Sequence, residues 1–141
     1  MANEVALTAA QVEPIDPLSH SEIYSGIAAE AITQGQVVYM LAAGTIGVAG
    51  AADAGLQQAR GIALNAAGIG QAVSILKRGR VAGFTVGAIN CGTPLWLSDT
   101  LGRLSTVVGT MTVPCGIVVP MTDAGATRVF YADFRWGPDW A

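Results

Sequence analysis

The strongest constraint on this chain is that a stretch of it is written twice. Residues 35–64 read GQVVYMLAAGTIGVAGAADAGLQQARGIAL, and residues 92–119 read GTPLWLSDTLGRLSTVVGTMTVPCGIVV. In each copy a glycine, Gly35 or Gly92, opens a short apolar strand with an aromatic at its centre, Tyr39 or Trp96. A glycine-containing turn follows at Gly44 or Gly102, then a second short strand over residues 45–48 or 103–106, and each copy closes on Gly-Ile and apolar residues from Gly61 or Gly116. A β unit of this size cannot bury its apolar face alone, so the pattern points to an internal duplication in which two similar units pack face to face around one core.

At 141 residues the chain is expected to form one domain, long enough to bury a core without help. Charged residues make up only 12% of it, against roughly 25% in a typical soluble domain, with 52% apolar residues and 18 glycines. Either a membrane or other protein must cover part of such a surface. Residues 31–52 carry no charge, but they hold Thr33, Gln34, Gln36, Thr45 and four glycines and no sustained Leu/Ile/Phe block, so a spanning helix is not expected. The start, MANEVALTAAQVEP, has an acid at Glu4 and no apolar core, which predicts a cytoplasmic product without a secretory signal. A net charge of −3 with scattered basic residues argues against nucleic acid as partner.

In chain order, residues 1–22 hold Pro14 and Pro17 and no sustained period, which predicts an extended arm that either frays or orders on a partner. Val5, Leu7, Val12, Ile15 and Leu18 are its candidate anchors. Strands are expected over 23–32 (irregular), 37–41, 45–49, 60–64, 71–77, 80–86, 93–97, 115–119 and 127–134, with weak alternation over 107–113 and one helical turn over 51–58. Arg78-Gly79 is read as a tight turn. It gathers Lys77, Arg78 and Arg80, either as a solvated turn or as a charged contact to a neighbouring subunit. Nine to eleven short strands with turns every eight to twelve residues give a mainly β fold, a small barrel or sandwich. The tail 135–141, RWGPDWA, carries Trp136 and Trp140, which must fold back on the domain or meet another chain.

No enzyme is expected. The single histidine, His20, lies in the arm, and GxSxG, HExxH, Walker and GxGxxG patterns are absent. Cys91 and Cys115 have no metal spacing and read as buried small hydrophobes, with a disulfide left open. No cofactor or metal is called for.

Taken in order, GQVVYML, ARGIALNAAGIGQAVSILKRGRVAGF, GTPLWLSDTLGRLS, VPCGIVVPMTD and VFYADF resemble the capsid decoration, or cement, proteins of tailed bacteriophages, over residues 23–134. The resemblance implies a β-barrel or β-tulip-like domain (23–134) with an N-terminal arm (1–22) and an aromatic tail (135–141). It also implies a protein of the virion exterior, assembled in the host cytoplasm, that binds the major capsid protein at local symmetry axes as a homotrimer and locks capsomers together. Val5, Leu7, Val12, Ile15, Lys77, Arg78, Arg80, Trp136 and Trp140 are then the candidate capsid or subunit contacts. The alternative is a virion surface module that holds a glycan or host receptor through Trp96, Trp136 and Trp140.

Overall fold

The computed structural model describes residues 4–15, 21–52, 55–121, 127–134 and 136. It is mainly β, a curled antiparallel sheet forming a half-barrel. The strands are β1 (Glu22–Ile27), β2 (Val37–Met40), β3 (Ile46–Val48), β4 (Ala59–Ala63), β5 (Ala72–Val81), β6 (Pro94–Leu97), β7 (Leu104–Ser105), β8 (Pro114–Pro120) and β9 (Arg128–Asp133). They form a 9-stranded sheet in the order β3-β2-β4-β5-β9-β8-β6-β7, with β1 added on β5.

That order is a duplication in space. β2 pairs with β3 and β4, and β6 pairs with β7 and β8, each with a register shift at the same place, Val38/Tyr39 and Leu95/Trp96. Gly116 lies 55 positions beyond Gly61, and the same offset takes Leu76 to Tyr131 and Ile75 to Phe130 on the fourth strands. A Cβ on Gly61 would run into the Leu76 carbonyl oxygen, and one on Gly116 would run into the Tyr131 carbonyl oxygen. Both copies thus need glycine where the next strand crosses closest. The two fourth strands, β5 and β9, pair with each other, and Arg78 stands opposite Asp133, its own counterpart at the same offset.

The units share one core, but not face to face. In the first unit Val37, Ile62 and Leu76 enter the main core, while Val38, Ala63 and Ile75 build a smaller cluster with Ala28, Ile32, Ile46 and Val73. In the second unit the counterparts of that smaller-cluster set, Leu95, Val118 and Phe130, fill the main core instead. The counterparts of Val37, Ile62 and Leu76 are Pro94, Ile117 and Tyr131, and these line an open groove. The units therefore pack face to back. The first unit is buried on both sides, the second on one.

The sheet curls until its ends meet through loop hydrogen bonds: the Val37 amide donates to the Gly102 carbonyl (3.0 Å), Gly102 to Ala49 (2.7 Å) and Ala51 to Ser98 (3.0 Å). Residues 4–15 of the arm, expected either to fray or to order on a partner, pack on the sheet instead. The Val5 amide donates to the Leu104 carbonyl, Thr8 to Gly83 and Thr85 to Ala6, and a 3-10 turn spans Ala9–Gln11. Pro14 sits opposite Val81 without harm because its neighbours carry the bonds: Ala82 donates to Glu13 and Ile15 donates to Arg80. Val5 and Val12 are buried in the main core, so as arranged here they are core residues rather than contacts for a partner.

Three further expectations are corrected. Arg78-Gly79 is no turn, since β5 runs through it as one strand of ten residues, with Gly79 at φ 139° absorbing the twist, and ends at Val81 rather than Val86. Residues 51–58 form no helix among those described, because Ala49 and Ala51 are drawn into the core. Residues 107–113 are irregular. Cys115 is buried and Cys91 exposed, both as free thiols, and burial pushes the Cys115 thiol well up.

Candidate functional site

The second unit leaves one face of its sheet open. Pro94 opens β6, Ile117 lies mid-β8 and Tyr131 mid-β9, so three adjacent strands present them side by side. With Pro114, Gly116, Arg78 and Asp133 they line a half-open groove of about 430 Å³. Ile117 keeps 39% of its surface in water although its counterpart Ile62 keeps none.

One rim of the groove is ionic. Arg78 Nε donates to Asp133 Oδ1 at 3.0 Å, its Nη1 lies 3.1 Å from Glu22, and Lys77 Nζ lies 3.7 Å from the other oxygen of Glu22. Arg78, Asp133 and Glu22 are about half exposed and Lys77 partly so, and the pairs therefore orient the rim more than they stabilise the fold. The hydrogen bond it donates to Asp133 and the charges of Asp133 and Glu22 make the Arg78 guanidinium hold its proton still more firmly.

The rim continues onto an aromatic step. The Trp136 indole N–H donates to the Arg60 carbonyl at 2.9 Å, its ring stands edge-on to Tyr24 with centroids 4.4 Å apart, and Lys77 Nζ lies 5.2 Å from its centroid. Tyr24 packs on the smaller cluster, where its hydroxyl is buried without a hydrogen-bond partner and burial pushes its phenol well up. Ser21, Glu22, Ile23, Tyr24, Lys77 and Trp136 line a second hollow of about 370 Å³.

The structure thus brings Lys77, Arg78 and Trp136 into one continuous patch. Arg80 lies further along β5, its guanidinium donating to the Met121 carbonyl at 2.8 Å. Leu7 and Ile15 are half-buried on the barrel, with Leu7 packed against the main core. Trp140, Leu18 and His20 lie outside the described residues. Trp96 is half-buried on β6, opposite Ser105 and Pro114, away from the Tyr24–Trp136 pair. Sequence reasoning missed Pro94, Ile117 and Tyr131. The repeat alignment contained the signal, because it placed Ile117 on Ile62, but only the fold shows which of the two faces is uncovered.

Among the described residues no three of His, Cys, Asp and Glu stand together as a metal site requires, and no helix is long and apolar enough to cross a membrane. No protein-family model, curated protein or solved structure matches the chain.

Proposed function

We propose that this chain is a structural protein of a virion exterior, a capsid decoration protein that binds the outer surface of an icosahedral shell and stabilises contacts between capsomers. The major capsid protein is its partner, and three copies gather at a local symmetry axis. The observation that carries the reading is the open face of the second unit: Pro94, Ile117 and the ring of Tyr131 lie open where their counterparts Val37, Ile62 and Leu76 are buried, and they end in an ionic rim. An apolar centre with a charged border is the anatomy of a protein interface. Exposed Leu101, Val107, Val108 and Met121 extend the apolar surface of a chain with only 12% charged residues. A cement protein works by adding buried area at joints, multiplied by repetition over the lattice.

The test is to add the purified protein to expanded shells assembled from the major capsid protein of the same genome, and to follow shell dissociation on heating. Decorated shells should come apart at higher temperature than bare ones. An unchanged dissociation temperature at saturating protein would remove the reading.

A second reading, a glycan or receptor module, has one observation of its own: the hollow beside Tyr24 and Trp136. Titrating a panel of monosaccharides and oligosaccharides while following Trp136 fluorescence tests it. A saturable change lost in Trp136→Phe would move the weight to that reading.

A further inference from the structure

We propose that β1 is a self-complementary edge through which two copies of this chain join by antiparallel strand addition. The proposal stands apart from shell binding, because it rests on β1 alone.

Among the described residues, the strands at the two ends of the sheet, β7 and β3, and the end of β5 are each met by the chain itself. β7 receives the arm at Glu4 and Val5, β3 receives Ala28 and Ala29, and the end of β5 receives residues 13–15. β1 pairs only with β5, and among the described residues no backbone hydrogen bond runs to its outer side. Natural edges are blunted by charge, proline or bulges. β1 is six residues, EIYSGI, with Glu22 its one charge, already held by Lys77 and Arg78, and with Ile23 and Ile27 37% and 46% exposed.

The hydrogen-bonding parity of the edge can be read from its neighbour. The Ser74 carbonyl accepts from Leu64, and the Ser74 amide donates to Asn65 Oδ1, so both groups point toward β4 and away from β1. Ser25 stands opposite Ser74. It therefore sits in a non-hydrogen-bonded pair, and its own N–H and C=O point outward, as do those of Ile23 and Ile27. The Ala28 amide, of the other parity, points inward to Gln71 at 2.9 Å.

Those outward groups fit a second copy of the same strand. With Ser25 placed opposite Ser25 of the second copy, Ile23 falls opposite its Ile27 and Ile27 opposite its Ile23, all in hydrogen-bonded pairs. On the other face Tyr24 falls opposite Gly26, a large ring against the residue without a side chain. Glu22 falls opposite Ala28, so no like charges meet. Six residues a side fall short of the roughly 1,200 Å² of a stable specific interface, so the contact is weak in dilute solution and filled at high local concentration. It is isologous and joins copies two at a time, linking trimers rather than forming them.

The experiment uses the full chain with Cys91→Ser, since Cys91 is the exposed thiol. Hydrogen-bonded partners lie about 5.5 Å apart at Cα, within disulfide reach. Under mild oxidation Ser25→Cys should give a covalent dimer, as should a mixture of Ile23→Cys and Ile27→Cys, whereas Ile23→Cys alone should not. Ser25→Pro removes only an outward N–H, which an edge strand tolerates. It should keep the far-UV spectrum and stay monomeric where the wild type gains mass toward a dimer by sedimentation equilibrium, up to about 1 mM. The proposal is overturned if Ser25→Cys cross-links no faster than Ile69→Cys, a control on a loop residue that is 77% exposed, or if the wild-type mass shows no such rise. A trimeric mass with Ser25→Cys uncrosslinked also overturns it. Should Ser25→Pro not fold, the cysteine pairs decide.

Discussion

Replacing Val12 by alanine tests whether the arm is part of the fold. Val12 is 1% exposed, and it lies in a slot formed by two glycines, its Cγ2 being 2.8 Å from a Cβ built on Gly83 and 3.1 Å from one built on Gly35. Val12→Ala removes two methyl groups' worth of burial, about 1.6 kcal/mol at 0.8 kcal/mol each. The slot is walled by backbone and cannot collapse fully, so a cavity contribution raises the loss to about 2–3 kcal/mol. For a chain of this length each kcal/mol moves Tm by about 2–4 °C, which gives a fall of about 4–12 °C. Thermal unfolding by circular dichroism, with urea denaturation as a second axis, reads it. The neighbouring exposed Gln11→Ala should stay within about 0.5 kcal/mol of wild type. A loss below about 0.5 kcal/mol for Val12→Ala would refute the reasoning, because it would mean that the arm contributes nothing to the folded barrel.

Gly61→Ala and Gly116→Ala should each cost about 1–3 kcal/mol in urea denaturation, since the new methyl meets a carbonyl oxygen of the next strand; neutrality at either would deny that the two positions are counterparts. Acid should loosen the start of the arm: a hydrogen bond with Thr100 holds the Glu4 carboxyl below its ordinary value against the opposing effect of burial. A lowered folded-state pKa gives stability that is present above the ordinary carboxylate value and lost as pH falls through the lowered one. Exchange at the Val5 amide should therefore speed up in that window beyond its intrinsic pH dependence, and Glu4→Gln should remove the extra acceleration. Ile117→Glu, on the open groove, should leave Tm nearly unchanged and weaken shell binding at least tenfold, by pelleting at graded concentrations. Full affinity in the folded variant would move the contact elsewhere.

The duplication was legible because glycines punctuate it: Gly35, Gly44, Gly92 and Gly102 all take positive φ at matching turns. The strand list followed from short apolar runs between those turns. What sequence could not carry was facing. Val37-Val38, Ile62-Ala63 and Ile117-Val118 are apolar on both sides, so alternation gives no inside, and whether a side is buried depends on what the distant arm and β1 cover. Arg78-Gly79 misled for a local reason, since a basic residue before glycine reads as a turn, while in the fold the glycine lets a long strand twist from one unit to the other. Pro14 misled in the same way, because a proline is excluded from a ladder only where its own N–H is needed. Lys77, Arg78 and Trp136 were visible as a charge run and a tryptophan tail, but β1, which brings Glu22 and Tyr24 to them, joins from residues more than fifty positions upstream of Lys77.

The most direct measurement of the central claim is co-sedimentation of the purified protein with expanded, undecorated shells over a range of concentrations. The account predicts saturable binding at a fixed ratio to the capsid subunit, lost in Ile117→Glu and retained in Gln11→Ala. Protein that stays in the supernatant at every concentration, or that pellets without saturating, would contradict it.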